Sequence, residues 1–378
     1  MKIVLVGPVT PYTGGIAKFN ETLGDELVRS GHEVQFLSFE QLYPRAFYPG
    51  TGPTAIQAGQ SRADTAYLIS WHMIGGGNKI KKWLREYQPD LILLHWWVPV
   101  HFWTFFRLFR ILDNIGIPAR VIVHNALPHE PFPLAPQLSR LALKSAQGCV
   151  VMAEGEALKT QTLLGSRTPI CLTPHPLMAP FPAQNGSSLG NLQVKYGVPQ
   201  DASVLLFLGY VRPYKGLKEL LTALASLIDQ GKDLYLIVAG EFWDDIKEYE
   251  AQIGALRLEK HVRLIPRFME DAEIAELFSL ADLFVVPYLR GTQSGVLKLA
   301  LGNGLPCVVS SSVADPYVQS RSDCCVVYSA GSQIGLQEAI ISGMKLEKRN
   351  AEENQVAFAE SWQEFVRVLI NCDKAGTE

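Results

Sequence analysis

At 378 residues the chain exceeds what a single hydrophobic core ordinarily serves, so two domains are expected. With 48% hydrophobic and 19% charged residues it reads as a soluble globular protein rather than a disordered one. A net charge of -3 argues against a nucleic-acid partner held by bulk electrostatics, so any bound anion has to be met by local cations.

The opening run M-K-I-V-L-V-G-P stops at Gly7 and has no small-residue cleavage site, so it reads as a first β-strand rather than a signal peptide. Buried-strand runs then alternate with amphipathic helical stretches, the pattern of βα units in a parallel sheet. Strands are expected near residues 3–6, 33–38, 90–95, 120–124, 149–152 and 170–173. A second series is expected near 204–208, 234–239, 262–265, 283–286, 306–310 and 325–328. Two sets of similar rhythm predict two Rossmann-like domains, over 1–180 and 201–350.

Residues 174–200 are rich in Pro, Asn, Gly and Ser without a periodic apolar pattern, and are expected to be a linker, placed at 181–200 between the domains. Residues 42–65 are likewise irregular and are expected to form a functional loop over the first domain. Apolar positions from Val356 to Ile370 recur at helical spacing, which predicts a long final helix near 353–373. The aromatic segment 91–115 is too interrupted by His95, Pro99, His101, Arg107 and Arg110 to span a membrane, which takes about eighteen uncharged apolar residues. On a helix from Phe102, the residues Phe102, Phe105, Phe106, Phe109 and Leu112 share a stripe while Trp103, Arg107 and Arg110 point elsewhere. That stripe reads as core, although the aromatic-plus-Arg composition also permits a peripheral membrane contact.

Cys149, Cys171, Cys307, Cys324, Cys325 and Cys372 form no C-x-x-C pair and no zinc-ligand spacing, so buried free thiols in a reducing, cytoplasmic compartment are expected. The first βα turn is too long for G-x-G-x-x-G and lacks the Lys-Ser/Thr of a P-loop. Gly14 and Gly15 still open a helix, where backbone N–H groups admit a ligand. The run Gly75-Gly76-Gly77 reads as a turn. His124 ends a strand and is followed by Asn125, His129 and Glu130, a set that fits either a hydrogen-bonding wall for a polyhydroxy substrate or a structural network.

In the second half, L-L-F-L-G-Y-V-R-P-Y-K-G-L runs an apolar strand into a turn that carries Arg212 and Lys215 beside a helix N-terminus. In an open parallel sheet that crevice binds ligands, and the two cations favour a diphosphate. Glu241 follows another strand, where a carboxylate could hold hydroxyls. Farther on, the backbone N–H groups of Gln293, Ser294, Gly295 and Val296 lie where a helix starts, making a second anion site. No D-x-D metal motif follows a strand, so no metal or other cofactor is expected.

In order and spacing these motifs resemble, over nearly the full length, the retaining glycosyltransferases of family 4, with the GT-B fold. The resemblance rests on Gly14-Gly15, the strand-end His124, G-x-x-R-x-x-K-G from Gly209 to Gly216, A-G-E at Ala239 to Glu241, A-D-L-F-V-V-P-Y at Ala281 to Tyr288, G-L-P-C-V-V-S from Gly304, and a Trp-bearing last helix. It implies two Rossmann-like domains facing each other across a cleft, with the final helix crossing back to the first. A nucleotide sugar would lie mainly on the second domain, its diphosphate gripped by Arg212 and Lys215, capped by the loop from Gln293 to Val296, and its base flanked by Arg267 and Phe268. Gly15 and His124 would close on the phosphate and sugar, and a glycan, lipid or small-molecule acceptor would enter from the first-domain side. The usual E-x7-E is missing: its positions fall near Gly291 and Leu299, and a T-Q-S-G-V loop stands there, with Gln293, Ser294 and Lys298 as the nearest polar candidates for the ribose. The resemblance implies hexosyl transfer with retention of configuration. A nucleotide-sugar epimerase or hydrolase using Glu241, His124 or Glu130, and a catalytically degenerate binding protein, remain as alternatives.

Overall fold

A computed structural model describes residues 1–12, 14–43, 62–73, 76–128, 134–181 and 189–372. The chain divides into two compact units, Met1–Pro174 with Trp362–Glu378, and His175–Ser361.

The first unit runs β1 (Lys2–Val6), α1 (Gly15–Arg29), β2 (Glu33–Gln41), β3 (Thr65–Ser70), α2 (Gly77–Tyr87), β4 (Leu91–Trp96), α3 (Phe102–Ile115), β5 (Ala119–Val123), α4 (Ala135–Leu143), β6 (Gly148–Val151), α5 (Glu154–Leu164) and β7 (Ile170–Leu172). All seven strands are parallel, in the order β3-β2-β1-β4-β5-β6-β7. β4 is buried along its whole length and β5 likewise, which is why strands covered on both faces read as unbroken apolar runs. α1 sits tightly on β2 because Gly24 has no side chain: a Cβ there would stand 2.4 Å from the Phe36 ring.

The second unit contains α6 (Leu189–Tyr196), β8 (Ser203–Leu208), α7 (Leu217–Asp229), β9 (Leu234–Ala239), α8 (Ile246–Ala255), β10 (Val262–Ile265), α9 (Asp271–Leu280), β11 (Leu283–Val286), α10 (Gly295–Gly302), β12 (Cys307–Ser310), α11 (Pro316–Gln319), β13 (Cys325–Tyr328) and α12 (Gln333–Gly343). Its six parallel strands are ordered β10-β9-β8-β11-β12-β13. α7 buries Leu217, Leu220, Leu221, Leu224 and Leu227, one apolar stripe at helical spacing against the sheet. The last helix, α13 (Ala351–Asn371), begins in this unit, and from Trp362 onward it belongs to the first. There the wholly buried Trp362 packs on Phe19 of α1, with ring centroids 5.1 Å apart.

Four expectations need correction. The expected linker holds α6, whose two buried residues, Leu192 and Tyr196, are too few to make a periodic signal. β3 was not expected: it is an edge strand in which only Ile69 is fully buried. The glycine run at 75–77 is in part a helix start, since Gly76 caps α2. Cys171 and Cys372 are joined in a disulfide across 201 residues, whereas Cys149, Cys307, Cys324 and Cys325 are buried free thiols. Most of the irregular stretch at 42–65 lies outside the described residues.

Candidate active site

In the second sheet the strand order reverses between β8 and β11, and the carboxyl ends of those strands are where an open parallel sheet leaves a crevice. β8 leads through Gly209 to Arg212, then to a single 3-10 turn at Pro213–Lys215, and Gly216 opens α7. β11 leads into Pro287 and Tyr288, and after a loop Ser294 caps α10, its hydroxyl accepting the Leu297 N–H at 3.4 Å. The two loops are locked together. The Leu289 N–H donates to the Tyr214 carbonyl at 2.8 Å. Gly216, at φ +72°, lies so near Pro287 that a Cβ would stand 2.0 Å from its carbonyl oxygen.

Lys215 is drawn into this corner. It is only 8% exposed, its ammonium lies 5.2 Å from the centroid of the Tyr288 ring, and among the described residues no carboxylate pairs with it. A desolvated cation over a ring face gains about 2 kcal/mol, whereas taking an unpaired charge out of water costs several. The imbalance favours an anion near this corner. A Cβ on Gly209 would lie 3.3 Å from the Lys215 Nζ and 3.5 Å from the Val296 side chain, so Gly209, Lys215 and the start of α10 share one small volume. The N–H groups of Gly295 and Val296, in the first turn, have no acceptor within the helix. Ser294 also donates to the Tyr288 hydroxyl at 3.4 Å, and the buried Thr292 hydroxyl has no partner among the described residues.

Arg212 opens the same turn. Gly209 and Gly240, with φ of +112° and +139°, let the segments after β8 and β9 run side by side: a Cβ on Gly240 would lie 2.1 Å from the Gly209 carbonyl oxygen. Beyond them Val211 N–H donates to the Glu241 carbonyl at 2.8 Å and Trp243 N–H to the Val211 carbonyl at 3.1 Å. This pairing carries the Trp243 ring to 3.9 Å from the Arg212 guanidinium carbon, with Tyr210 beside it at 5.0 Å between ring centroids.

The structure therefore brings Gly209, Lys215, Ser294, Gly295 and Val296 together, with Arg212 and Glu241 on the neighbouring turns and Gln293 in the loop that precedes α10. Arg267 and Phe268 follow β10, which β9 separates from β8. The Arg267 guanidinium is held by the Glu273 carboxylate at 2.8 Å, a bond that brings Glu273 down to about 2, and the Phe268 ring is exposed. Lys298 is a correction: its ammonium is buried and lies 2.7 Å from Asp315, so it is not available to a ribose. Its position beside the T-Q-S-G loop could not reveal a partner seventeen residues on.

In the first unit the order reverses between β1 and β4. The His95 Nδ1 lies 2.9 Å from the His124 Nε2, the rings are stacked at 5.2 Å, and Phe19 stands edge-on to both. Burial brings His95 down to about 3, so it is neutral. Its Nε2 and the Asn20 Oδ1 are buried without partners among the described residues, while a Cβ on Gly7 would stand 3.0 Å from the Asn20 Nδ2 and 3.1 Å from His95. His95 and Asn20 were not singled out in the sequence, although His95 ends the expected strand at 90–95 as His124 ends the one at 120–124. The loop carrying Asn125 is fixed by Ala126 N–H, which donates to the buried Glu156 carboxylate at 2.6 Å. Gly14 and Gly15 face open space at the start of α1. His129 and Glu130 lie outside the described residues.

No helix among the described residues is long and apolar enough to cross a membrane. On α3 the buried face is Thr104, Phe105, Leu108, Phe109 and Leu112, so Phe102 and Phe106 are only partly covered. Trp103 is exposed, stacks with Phe106 at 5.8 Å, and lies under Arg107 at 4.8 Å. No cluster of three or more His, Cys, Asp or Glu among the described residues is arranged to hold a metal ion. Asp244 accepts from the Tyr249 hydroxyl at 2.9 Å and Asp245 caps α8 through the Lys247 N–H at 3.0 Å.

Residues 191–360 match the family model for glycosyl transferases group 1, and residues 14–176 match that for a glycosyl transferase 4-like domain. A phosphatidyl-myo-inositol mannosyltransferase from Mycolicibacterium smegmatis is 24% identical over 370 residues, covering 89% of this chain and 83% of that one. A 2-deoxystreptamine glucosyltransferase from Streptomyces kanamyceticus is 23% identical over 59% of each chain. Among solved structures, sucrose-phosphate synthase from Thermosynechococcus elongatus superposes with a TM-score of 0.67 at 15% identity, over 98% of this chain and 99% of that one. Anabaena HepE in complex with UDP does so at 0.64 and 15% identity, over 99% and 98%. Both neighbours share the pair of parallel Rossmann-like sheets.

Proposed function

With both parts of a group 1 glycosyltransferase of GT-B fold present in one chain, we propose that it moves a hexose from a nucleoside-diphosphate sugar to an acceptor hydroxyl, with retention of anomeric configuration. The observation that carries this reading is Lys215: a buried ammonium that no carboxylate among the described residues pairs with, at the strand reversal of the second sheet and beside the start of α10. A diphosphate would give this ammonium an anionic partner. As the sugar–phosphate bond breaks, negative charge grows on the leaving diphosphate, and fixed cations and N–H dipoles then bind the transition state more tightly than the ground state. Lys215, Arg212 and the N–H groups of Gly295 and Val296 are assigned that role, in place of a metal ion. The departing phosphate can take the acceptor's proton, so no side-chain nucleophile is required.

The first unit, with His124 at a strand end and Gly14 and Gly15 at an open helix start, is the acceptor-side half in this reading. A lipid-borne or glycan acceptor fits best, met by a cytoplasmic protein that touches the membrane peripherally. The exposed Trp103 and Arg107 and the partly covered Phe106 on α3 support such contact.

A thermal-shift screen against UDP, GDP and ADP and their sugars identifies the donor, because a ligand of the native state alone raises Tm. With that donor, Arg212→Ala and Lys215→Ala are each expected to lower kcat/KM at least about a hundredfold. Near-normal turnover in both would remove their role. Release of nucleoside diphosphate only when acceptor is present separates transfer from epimerisation and hydrolysis.

A further inference from the structure

Trp243 is a large aromatic that the fold does not need for its core. It is 39% exposed, and the packing on α8 is made by its neighbour Phe242, whose ring lies 5.5 Å from Tyr249. Yet its backbone is fixed, by the bond from its N–H to the Val211 carbonyl and by the close passage of Gly240 along Gly209. The result is a ring on a fixed backbone whose centroid lies 3.9 Å from the Arg212 guanidinium carbon, with the tilted Tyr210 ring 5.0 Å away between centroids. The two carboxylates that follow Trp243 in sequence are turned to other tasks, Asp244 to the Tyr249 hydroxyl and Asp245 to the start of α8.

We propose that Trp243 is a positioning residue for Arg212, its ring holding the guanidinium ready for the diphosphate of the donor; this rests on the reading of Arg212 as a phosphate ligand. The physical reason is that an arginine can be oriented in two ways. A carboxylate orients it but cancels its charge and competes with phosphate for the same N–H donors. A ring face orients it through its quadrupole without competing with phosphate for N–H donors, and the weakly hydrated guanidinium stacks readily. A long, flexible side chain that is already ordered loses less entropy when the anion arrives.

The test is titration calorimetry with inorganic pyrophosphate on the full chain and on Trp243→Leu, Trp243→Phe, Arg212→Ala and the double variant Trp243→Leu/Arg212→Ala. Trp243→Leu is expected to bind about tenfold more weakly, and Trp243→Phe, which keeps a ring face, to recover most of the loss. In the Arg212→Ala background Trp243→Leu is expected to add nothing, because the ring acts only through that guanidinium. Pyrophosphate is expected to change the emission that Trp243 contributes, read as wild type minus Trp243→Phe, and to leave it unchanged once Arg212 is removed. Unchanged or tighter binding by Trp243→Leu, or a loss of the same size in both backgrounds, would overturn the proposal while leaving Arg212 as a phosphate ligand. Wild-type affinity in Arg212→Ala would instead sink the reading beneath it, and the proposal with it.

Discussion

The Lys298 ammonium lies 2.7 Å from the Asp315 carboxylate, with the two side chains only 2% and 5% exposed. Lys298 also accepts the Met178 N–H through its backbone carbonyl at 3.2 Å, and Asp315 takes the Val318 N–H at 2.9 Å to start α11. Burial pulls the ammonium below its ordinary range while Asp315 opposes the shift. The pair pins the helix whose first turn borders Lys215.

Removing one partner leaves the other charge buried and alone. Lys298→Met is therefore expected to cost about 3–5 kcal/mol, and Lys298→Met with Asp315→Asn, where Asn can still cap α11, to recover more than half of it. Urea unfolding of both variants and of Asp315→Asn checks this, and equal losses in the single and double variants would contradict it.

Gly209→Ala places a Cβ 3.3 Å from the Lys215 Nζ on a backbone at φ +112°. The cation is expected to move, and kcat/KM to fall by about tenfold or more, with a stability loss of about 1–3 kcal/mol. Gly216→Ala, which meets the Pro287 carbonyl at 2.0 Å, is expected to lower Tm further than Gly209→Ala does. Initial rates and thermal melts of the two variants separate damage to the site from damage to the fold.

Acid is expected to destabilise the protein earlier than its carboxylates alone would. Burial brings His95 and His101 down to about 3 and His175 to about 4. Their unfolded counterparts protonate near 6.5, so between 6.5 and the lowered values the unfolded chain binds more protons and stability falls as pH falls, by up to about 1.4 kcal/mol per pH unit for each histidine. Urea midpoints from pH 7.5 to pH 4.5 measure the slope, and His101→Phe, at a fully buried ring among Phe39, Tyr43 and Trp97, is expected to flatten it.

Liposomes containing anionic lipid are expected to retain the protein in flotation, and Trp103→Ser with Arg107→Ser to reduce the bound fraction about fivefold or more, as two interfacial contacts are lost. Equal flotation of wild type and variant would remove α3 as the contact.

Much of this architecture was legible because a parallel sheet covered on both faces writes its strands as unbroken apolar runs, as β4, β9 and β11 do. The place of Lys215 between β8 and α7 was legible because an apolar strand run and a helical leucine stripe flank it. β3 escaped because only one of its six residues is buried, and α6 because an eight-residue helix buries just Leu192 and Tyr196. His95 escaped for a different reason: in L-I-L-L-H-W it reads as the last residue of a strand, and only the pairing of β4 with β5 brings it to His124. Lys298 was misread since its partner lies on another element, and Trp243 was overlooked since its approach to Arg212 depends on two glycines that let neighbouring loops touch.

The bond between Cys171 and Cys372 has a topological consequence. Both cysteines lie in the first unit, and the entire second unit, His175–Ser361, falls between them in sequence. That unit is thus strung on a closed covalent ring, so a single protease nick anywhere within it yields two pieces that still migrate as one until a reductant opens the ring.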